Sequence, residues 1–392
     1  MSQQNEAEVL AAITDLLPVF RQRALQTEDA RVVPAESVKS LEETGFFRLL
    51  QPVAYGGLEA DPVAFFTAVR LIASACGSTG WVASVVGVHP WQLALFPAQA
   101  QDDVWAADPA TRMSSSYAPT GRAKITQEGY HLDGRWSFSS GCDHASWVLL
   151  GGIVLNEEGQ PVDFRTFLLP ASDYAIDDVW DTVGLRGTGS NDIVVDHIFV
   201  PEYRSLSFTD VTRIACPGHE RNAGALYRIP FGSIFSYAIT TPVIGMAAGA
   251  YAAHVDYQRQ RVRAAYAGQR SAEDPFAQVR IAEAAALIDA AWLALERDMT
   301  ELMRYAKAGE KIPLPLRLRT RRDQVTGTGQ AIRAVDLLFE NSGGRALKGT
   351  PIQRFWRDAH AGRVHAINDP ERALSMFGRG ELGHDVPPDA MF

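Results

Sequence analysis

Two serine-rich segments of this 392-residue chain have residue types and spacing suited to binding chemistry. "RMSSSY" (112–117) and "RWSFSSG" (135–141) each place small hydroxyl side chains beside an aromatic residue in a short β-like run. A flat heteroaromatic ligand suits this pattern, because an aromatic ring stacks on it while hydroxyl and backbone N–H groups meet its ring nitrogens and carbonyls. The alternative interpretation of each segment is an ordinary solvated strand.

Histidines are the residues best suited to proton transfer, since their unperturbed pKa lies near neutral pH. His89 stands in the apolar stretch "VGVHPW", and we expect it at a helix end because Pro90 disfavours helix there. A hydrogen-bonded core histidine is the alternative. His360 and His365 lie in "RDAHAGRVHAINDPERA", which the pattern predicts to be a helix ending near Pro370. Five residues turn a helix by about 140°, so only one of the two can face a given site.

A third segment, "GLRGTGS" (184–190), resembles a glycine-rich phosphate loop. It lies between β-like runs and does not open a helix, so a dinucleotide-binding interpretation fails on context. Two interpretations remain: a turn with glycine at positive φ, or a loop lining a ligand site. The three cysteines are widely spaced and no hydrolase, Walker A or H-E-x-x-H motif occurs, so we predict neither a disulfide framework nor a metal site.

The bulk composition excludes several classes of protein. The formal net charge of −9 argues against a nucleic-acid binder. The N-terminal segment lacks the basic and apolar regions of a signal peptide, and no run of 18 apolar residues predicts a membrane span. We therefore expect a cytoplasmic protein without nucleic-acid or membrane partners. The arginine clusters "RQRVR" (259–263) and "RLRTRR" (317–322) indicate solvated helix faces, with an anionic small molecule as the alternative.

The elements that must position these residues change character twice along the chain. Residues 1–110 show helical periodicity and begin with an amphipathic stripe. Residues 111–215 form short β-rich runs separated by turn signals, and helical periodicity returns over residues 216–392. We predict a mainly helical α+β fold with an N-terminal helical domain, a central β-barrel-like domain and a C-terminal helical bundle.

This order, together with "GRWSFSSG" and "GLRGTGSNDIVVDHIFVP", resembles the acyl-CoA dehydrogenase fold over essentially the whole chain. That fold binds flavin between its β-domain and its C-terminal bundle. Many of its dehydrogenases carry a motif similar to R-D-x-x-x-x-x-I-Y-E-G-T, whose glutamate abstracts a proton from a thioester substrate. When Arg357 and Asp358 are aligned on that motif, Ala366 takes the place of the glutamate, and an alanine cannot remove a proton.

A second branch of the fold is more similar: the oxygenase components of two-component flavin monooxygenases. They hydroxylate phenols with O2 and reduced flavin from a separate reductase. "CGSTGW", "SSSYAP" and "IQRFWRDAHAGRVHA" are similar to segments of members that ortho-hydroxylate a phenolic secosteroid to a catechol in steroid and cholesterol catabolism. The resemblance implies a homotetramer that uses FMNH2, with FAD as an alternative flavin. Another small phenol as substrate, an acyl-CoA dehydrogenase and a non-enzymatic helical scaffold stay open as alternatives.

The same resemblance implies roles for individual residues. His365 would control a proton beside the flavin, His89 would meet the phenol oxygen, and Ser115 would hydrogen-bond the substrate. Arg261 would reach the phosphate end of a neighbouring subunit's cofactor. The flavin pocket would comprise Trp81, Ser115, Ser116, Tyr117, Phe138, Ser139 and Ser140, with Ser140 near flavin N5. Further cofactor contacts would come from Gly344, Arg345, His365 and Ala366.

Overall fold

A helical block opens the chain in the computed structural model, which describes residues 5–263 and 268–386. It contains α1 (Glu6–Ala30), α2 (Ala35–Glu43), α3 (Pro62–Ala75), α4 (Gly77–Leu93) and α5 (Ala98–Trp105). The apolar stripe of α1 turns inward, with Val9, Ile13 and Phe20 almost completely buried. α3 and α4 are buried on nearly all sides, as their apolar composition predicts.

The central part of the chain forms one seven-stranded sheet. Its strands are β1 (Met113–Ile125), β2 (Gly129–Ser139), β3 (Trp147–Leu155), β4 (Pro161–Pro170), β5 (Ala175–Asp177), β6 (Asn191–Pro201) and β7 (Ser205–Ser207). They follow the order β5-β6-β2-β1-β3-β4-β7, and β1 and β3 are the parallel pair. The register of that pair shifts between Ser116 and Gly121, so two runs that look separate in the sequence form one bent strand.

The C-terminal part is a helical bundle around one long central helix. After the short α6 (Phe208–Arg213) come α7 (Phe231–Gln260), α8 (Pro275–Lys307), α9 (Leu314–Ser342), α10 (Pro351–Arg363) and α11 (Pro370–Glu381). A small hairpin, β8 (Val262–Arg263) and β9 (Gln269–Arg270), follows α7. α7 packs against α3, α4, α9 and α10. By length and composition α7 could cross a membrane, but 94% of its most apolar window is buried inside the protein, as in a core helix.

The helix α4 does not end at His89, contrary to the expectation from Pro90. It continues to Leu93, so His89 lies within the helix. Proline removes the hydrogen bond that its N–H would donate to the carbonyl of Val86 four residues earlier. Almost every residue of α4 is buried between α3, α7 and β1, and this packing outweighs the lost bond.

The arginine run on α9 is not the solvated face that its sequence indicated. Arg321 is only 5% exposed, and its guanidinium donates to the carbonyl of Ile367 at 3.2 Å. Arg319 forms ion pairs with Asp298 at 3.0 Å and Glu301 at 2.6 Å. The partner carboxylates belong to α8, so the α9 sequence alone could not reveal them.

The glycine-rich segment 184–190 is a loop that joins β5 to β6 and packs tightly on the helices. A Cβ on Gly184 would lie 2.2 Å from the carbonyl oxygen of Arg357, and one on Gly187 would lie 2.4 Å from a methyl of Thr27. Gly189 has a φ of +51°. Two of its glycines therefore permit close approach to α10 and α1, while the third adopts the left-handed conformation.

Replacing Gly184 with alanine is expected to destabilise the protein, because the added methyl group overlaps the α10 backbone. Overpacking of this kind costs about 1–3 kcal/mol, which a urea titration followed by circular dichroism would resolve. Gly349→Ala is the matched control, since nothing lies within 4 Å of a Cβ there. Equal unfolding midpoints for the two variants would contradict the close contact.

Candidate active site between the sheet and the bundle

A buried histidine–serine pair forms the first half of the site. His89 on α4 is 1% exposed, and its Nε2 lies 2.7 Å from Oγ of the half-buried Ser115 on β1. Burial lowers the pKa of His89 to about 3, although backbone groups of Val86 and Met113 oppose the shift. Its Nδ1 has no hydrogen-bond partner among the described residues. The ring is therefore neutral at pH 7, and Nε2 with Ser115 forms the polar end of an apolar wall.

Aromatic side chains of α7 build that apolar wall. Phe231 and Phe235 stack with their ring centroids 4.1 Å apart. Tyr117 packs edge-on against both, at 5.7 and 5.5 Å, and its hydroxyl group donates to Oε1 of Gln92. Burial raises the pKa of Tyr117 well above its ordinary range, so the phenol stays protonated. The wall excludes water from the side of the site that holds His89.

A chain of hydroxyl groups forms the second half of the site. Trp81 Nε1 donates to Ser140 Oγ at 3.1 Å, and Ser140 Oγ lies 2.7 Å from Ser190 Oγ. Ser190 in turn lies 2.7 Å from Oγ1 of Thr188, which donates to the carbonyl of Leu185 at 2.9 Å. The sequence singled out Trp81 and Ser140 but missed Thr188 and Ser190. The signal that could have found them was the loop 184–190, considered as a lining of the site.

Two of the other predicted serines do not direct their hydroxyl groups to this chain. Ser139 Oγ is completely buried and donates to Ser114 Oγ at 3.1 Å. Ser116 Oγ donates to the carbonyl of Ser137 at 2.8 Å. Both side chains hold β1 and β2 together, so any contact they make with a cofactor would come through the backbone.

Phe138 presents its ring to the exterior beside Ser140. It is 66% exposed and has a φ of +70°, an unfavourable conformation for a residue with a side chain. The pairing of β2 with β6 is irregular between Trp136 and Ser139, and this irregularity turns Phe138 outward. Its ring meets Trp180 edge-on at 6.1 Å. An exposed ring held in this way is available for stacking.

His365 lies next to Trp81, with ring centroids 6.0 Å apart. It does not lie on a helix as predicted: α10 ends at Arg363, and His365 is extended before the short 3₁₀ turn Ala366–Asn368. Its Nδ1 accepts a hydrogen bond from the Ile367 N–H at 3.2 Å, so the neutral ring carries its proton on Nε2. Burial lowers its pKa to about 4.

His360 and Ala366, the neighbours of His365 in sequence, lie in different surroundings. His360 stays on α10, where its ring bonds the Trp356 carbonyl at 2.8 Å and lies 3.3 Å from Asp336. It is a structural residue of the α9–α10 contact. Ala366 is exposed. Gly362 brings this segment close to α4, because a Cβ there would lie 3.0 Å from the Trp81 ring.

The two halves of the site share the helix α4. Trp81 and His89 are eight residues apart on it, a rise of about 12 Å. Ser140 and His365 adjoin Trp81, while Ser115 adjoins His89. The structure therefore brings the predicted catalytic residues together along one helix.

Arg261, Gly344 and Arg345 lie at the far end of the bundle. Arg261 donates to the carbonyl of Asn341 at 2.7 Å. The guanidinium carbons of Arg261 and Arg345 lie 5.4 and 5.8 Å from the ring centroid of Tyr257. Val243 on α7 contacts the segment beside Trp81, and Arg261 follows 18 residues later, directly after the helix ends at Gln260, a rise of about 27 Å. Within one protomer these arginines are thus remote from Ser140.

The residues fit a flavin better than a metal ion. The exposed Phe138 ring can stack on a tricyclic ring, and Ser140 offers a hydroxyl group fixed by Trp81. Arg261 and Arg345 suit a phosphate, because guanidinium groups bind it in bidentate fashion. In the residues that the structure describes, no group of three or more histidine, cysteine, aspartate or glutamate side chains could hold a metal ion.

Comparison with known proteins identifies relatives over nearly the full length of the chain. The acyl-CoA dehydrogenase N-terminal domain model matches residues 13–111, and the C-terminal domain model matches residues 237–370. The chain is 58% identical to the oxygenase subunit HsaA of a flavin-dependent monooxygenase from Rhodococcus jostii (strain RHA1), covering 94% of this chain and 96% of that protein. It is 39% identical to the oxygenase component of an FADH2-dependent resorcinol hydroxylase from Rhizobium sp. (strain MTP-10005), covering 95% and 93%.

A solved structure has the same architecture. The 3-HSA hydroxylase from Rhodococcus sp. RHA1 superposes with a TM-score of 0.95 at 57% identity, covering 98% of this chain and 99% of that one. The agreement extends through the helical block, the sheet and the bundle, and it confirms the predicted fold class.

Replacing His89 with asparagine is expected to reduce the acid sensitivity of folding. In the unfolded chain His89 is protonated below about pH 6.5, whereas in the folded protein it stays neutral down to about pH 3. The free energy of unfolding therefore falls as the pH drops below 6.5. His89 makes the free energy of unfolding about 2 kcal/mol lower at pH 5 than at pH 7. Urea unfolding at both pH values measures it. His197→Asn, at an exposed histidine, is the control; an unchanged pH dependence in His89→Asn would contradict the burial argument.

Proposed function

This chain belongs to the flavin-dependent monooxygenase oxygenase subunits with the acyl-CoA dehydrogenase fold, and from that premise we propose that it ortho-hydroxylates a phenolic secosteroid to a catechol in steroid catabolism. It is the oxygenase component of a two-component aromatic hydroxylase and uses reduced flavin and O2. The observation that carries the proposal is the buried pair of His89 Nε2 and Ser115 Oγ, 2.7 Å apart at the end of an apolar aromatic wall. We place the phenolic oxygen of the substrate at this pair and its carbon skeleton along α7.

Substrate activation is the task of the first half of the site. Bound reduced flavin supplies two electrons and activates O2, of which one atom enters the ring ortho to the phenolic oxygen and the other leaves as water. A phenol is more nucleophilic at that carbon as its phenolate. Neutral His89 and Ser115 hold the phenolic oxygen by hydrogen bonds and orient the ortho carbon towards Ser140 and His365.

Proton control is the task of the second half. His365 Nε2–H is a donor, because Nδ1 is occupied by the Ile367 N–H. Ser140 is held between Trp81 and Ser190, and we place its hydroxyl group near flavin N5. The surrounding bundle keeps water from the oxygen-transfer step, since water would divert oxygen to peroxide.

We propose FMN as the flavin, with FAD as an alternative, and a cytoplasmic homotetramer as the working unit. The distance of about 27 Å along α7 supports the oligomer, because only another subunit could bring Arg261 to a flavin beside Ser140. α8 also exposes an apolar stripe formed by Val279, Ala282, Ala286 and Leu293. We place another subunit of the proposed oligomer against these exposed apolar residues, since their burial there would be favourable.

A coupled assay tests the substrate. Any flavin reductase supplies FMNH2, and a phenolic secosteroid is compared with p-hydroxyphenylacetate. Catechol and H2O2 are scored against the flavin that is oxidised. We expect catechol from the secosteroid and mainly peroxide from the small phenol. The reverse preference would reject the secosteroid and leave a small-phenol hydroxylase.

Replacing His365 with asparagine is expected to uncouple oxygen consumption from hydroxylation. FMNH2 and O2 are still consumed, catechol falls by roughly 100-fold, the lower range of general acid–base effects, and peroxide rises to match. His360→Asn is the control, since that ring faces Asp336 on the bundle side. Wild-type coupling in His365→Asn would remove His365 from the mechanism.

Replacing Arg261 with alanine is expected to weaken flavin binding without changing the fold. Loss of one charge-assisted contact to phosphate costs about 1.5–3 kcal/mol, or roughly 10- to 100-fold in the FMNH2 dissociation constant. Arg259→Ala is the matched control, because that exposed guanidinium pairs with Asp256. An unchanged dissociation constant, or a monomer in light scattering of the wild type, would contradict the assignment.

A further inference from the structure

A buried carboxylate links the elements that carry both halves of the site. Asp358 on α10 is 4% exposed, and its Oδ1 accepts the Leu185 N–H at 2.7 Å. Its Oδ2 faces Gly77, the first residue of α4, where a Cβ would lie only 2.7 Å away. One side chain thus touches the loop 184–190 and the beginning of α4 from its place on α10.

The contact with Leu185 leads directly to Ser140. The Leu185 carbonyl accepts hydrogen bonds from Thr188 Oγ1 at 2.9 Å and from Trp180 Nε1 at 2.9 Å. Thr188 bonds Ser190, and Ser190 bonds Ser140. If Leu185 moves, the partners that fix the Ser140 hydroxyl group move with it.

The contact with Gly77 connects Asp358 to α4, the helix that carries His89 in the first half of the site. The first N–H groups of a helix lack intrahelical partners, and the positive end of the helix dipole favours an anion there. α4 has no side-chain hydrogen bond at its N-cap, Cys76. The Asp358 carboxylate is placed to anchor the helix that carries Trp81 and His89.

Contacts of the neighbouring residue Arg357 fix the position of the Asp358 carboxylate. Its neighbour Arg357 donates to the Val183 carbonyl at 2.7 Å and pairs with Glu28 of α1 at 2.5 Å. Burial raises the pKa of Asp358 to about 6, so ionising it costs stability. A buried charge is weak evidence of stabilisation, and an apolar residue would pack at lower cost. The presence of Asp358 is therefore better explained by the groups that it contacts than by a contribution to the free energy of folding.

We propose that Asp358 is a positioning residue for the hydroxylation: it keeps Ser140 and α4 in mutual register, and so sets the share of consumed O2 that reaches the product. The inference rests on flavin-dependent hydroxylation and not on the identity of the phenol. Asp358 touches no reacting group and acts through Leu185 and Gly77.

Asp358→Asn tests the proposal, with Asp336→Asn as the matched control. Asp336 contacts α10 from α9, where it accepts from Trp356 Nε1 at 2.8 Å, and it does not touch the loop. We expect Asp358→Asn to lose roughly 10-fold or more in catechol formed per FMNH2 oxidised, since small misplacements of reacting groups cost up to about 100-fold. FMNH2 oxidation continues, with peroxide making up the difference. Coupling equal to that of the wild type or of the control variant would overturn the proposal.

Thr188→Val supplies a second test that leaves Asp358 in place. The substitution removes only the hydroxyl link between Leu185 and Ser190. Coupling is expected to fall here as well, and the double variant Asp358→Asn/Thr188→Val should lose less than the two single losses combined, because both changes interrupt the path through Leu185. Additive losses, or wild-type coupling in Thr188→Val, would overturn the proposal. Wild-type protein that forms no catechol from any phenol would instead reject the proposed function.

Discussion

The site has to exclude water and yet hold many polar groups, and that constraint shapes the rest of the structure. A buried polar group without a partner costs free energy, so each hydroxyl group in the site needs a partner inside the protein. Ser140 finds Trp81 and Ser190, Ser115 finds His89, and Tyr117 finds Gln92. These partners come from one helix, α4, which carries Trp81, His89 and Gln92, and from the loop 184–190, which carries Ser190. The packing of the loop 184–190 on α10 is therefore a condition for a dry polar site.

The order of elements could be predicted from the sequence, and so could the region in which the candidate site residues lie. Periodicity separates helices from strands, and the serine-rich segments with His89 pointed to residues that the structure places along α4. Local rules failed where packing opposed them. Pro90 suggested a helix end, but burial carries α4 through it. His365 was placed on a helix, but its backbone is extended and its side chain caps the following turn.

Other features depended on distant partners and could not be predicted. The hydroxyl groups of Ser116 and Ser139 are used within the sheet because of the register between β1 and β2. Thr188 and Ser190 reach Ser140 only because the loop folds back onto it. Burial also changes the two histidines from groups that titrate near neutral pH into neutral rings. At pH 7 they act first as hydrogen-bond donors and acceptors, and Ala366, next to His365 in sequence, cannot abstract a proton as a glutamate would.

The long apolar helix α7 has a consequence for the synthesis of the protein on the ribosome. Its covering comes from both directions of the chain: α3 and α4 precede it, whereas α9 and α10 follow it. α10 is complete only about 100 residues after α7, so at synthesis rates of about 5–20 residues per second one side of α7 stays uncovered for roughly 5–20 seconds. During that interval the nascent chain presents a segment apolar enough to enter a membrane. Exposed apolar surface of this kind favours aggregation of a growing polypeptide, and the exposure ends when the segment that carries His365 covers the helix.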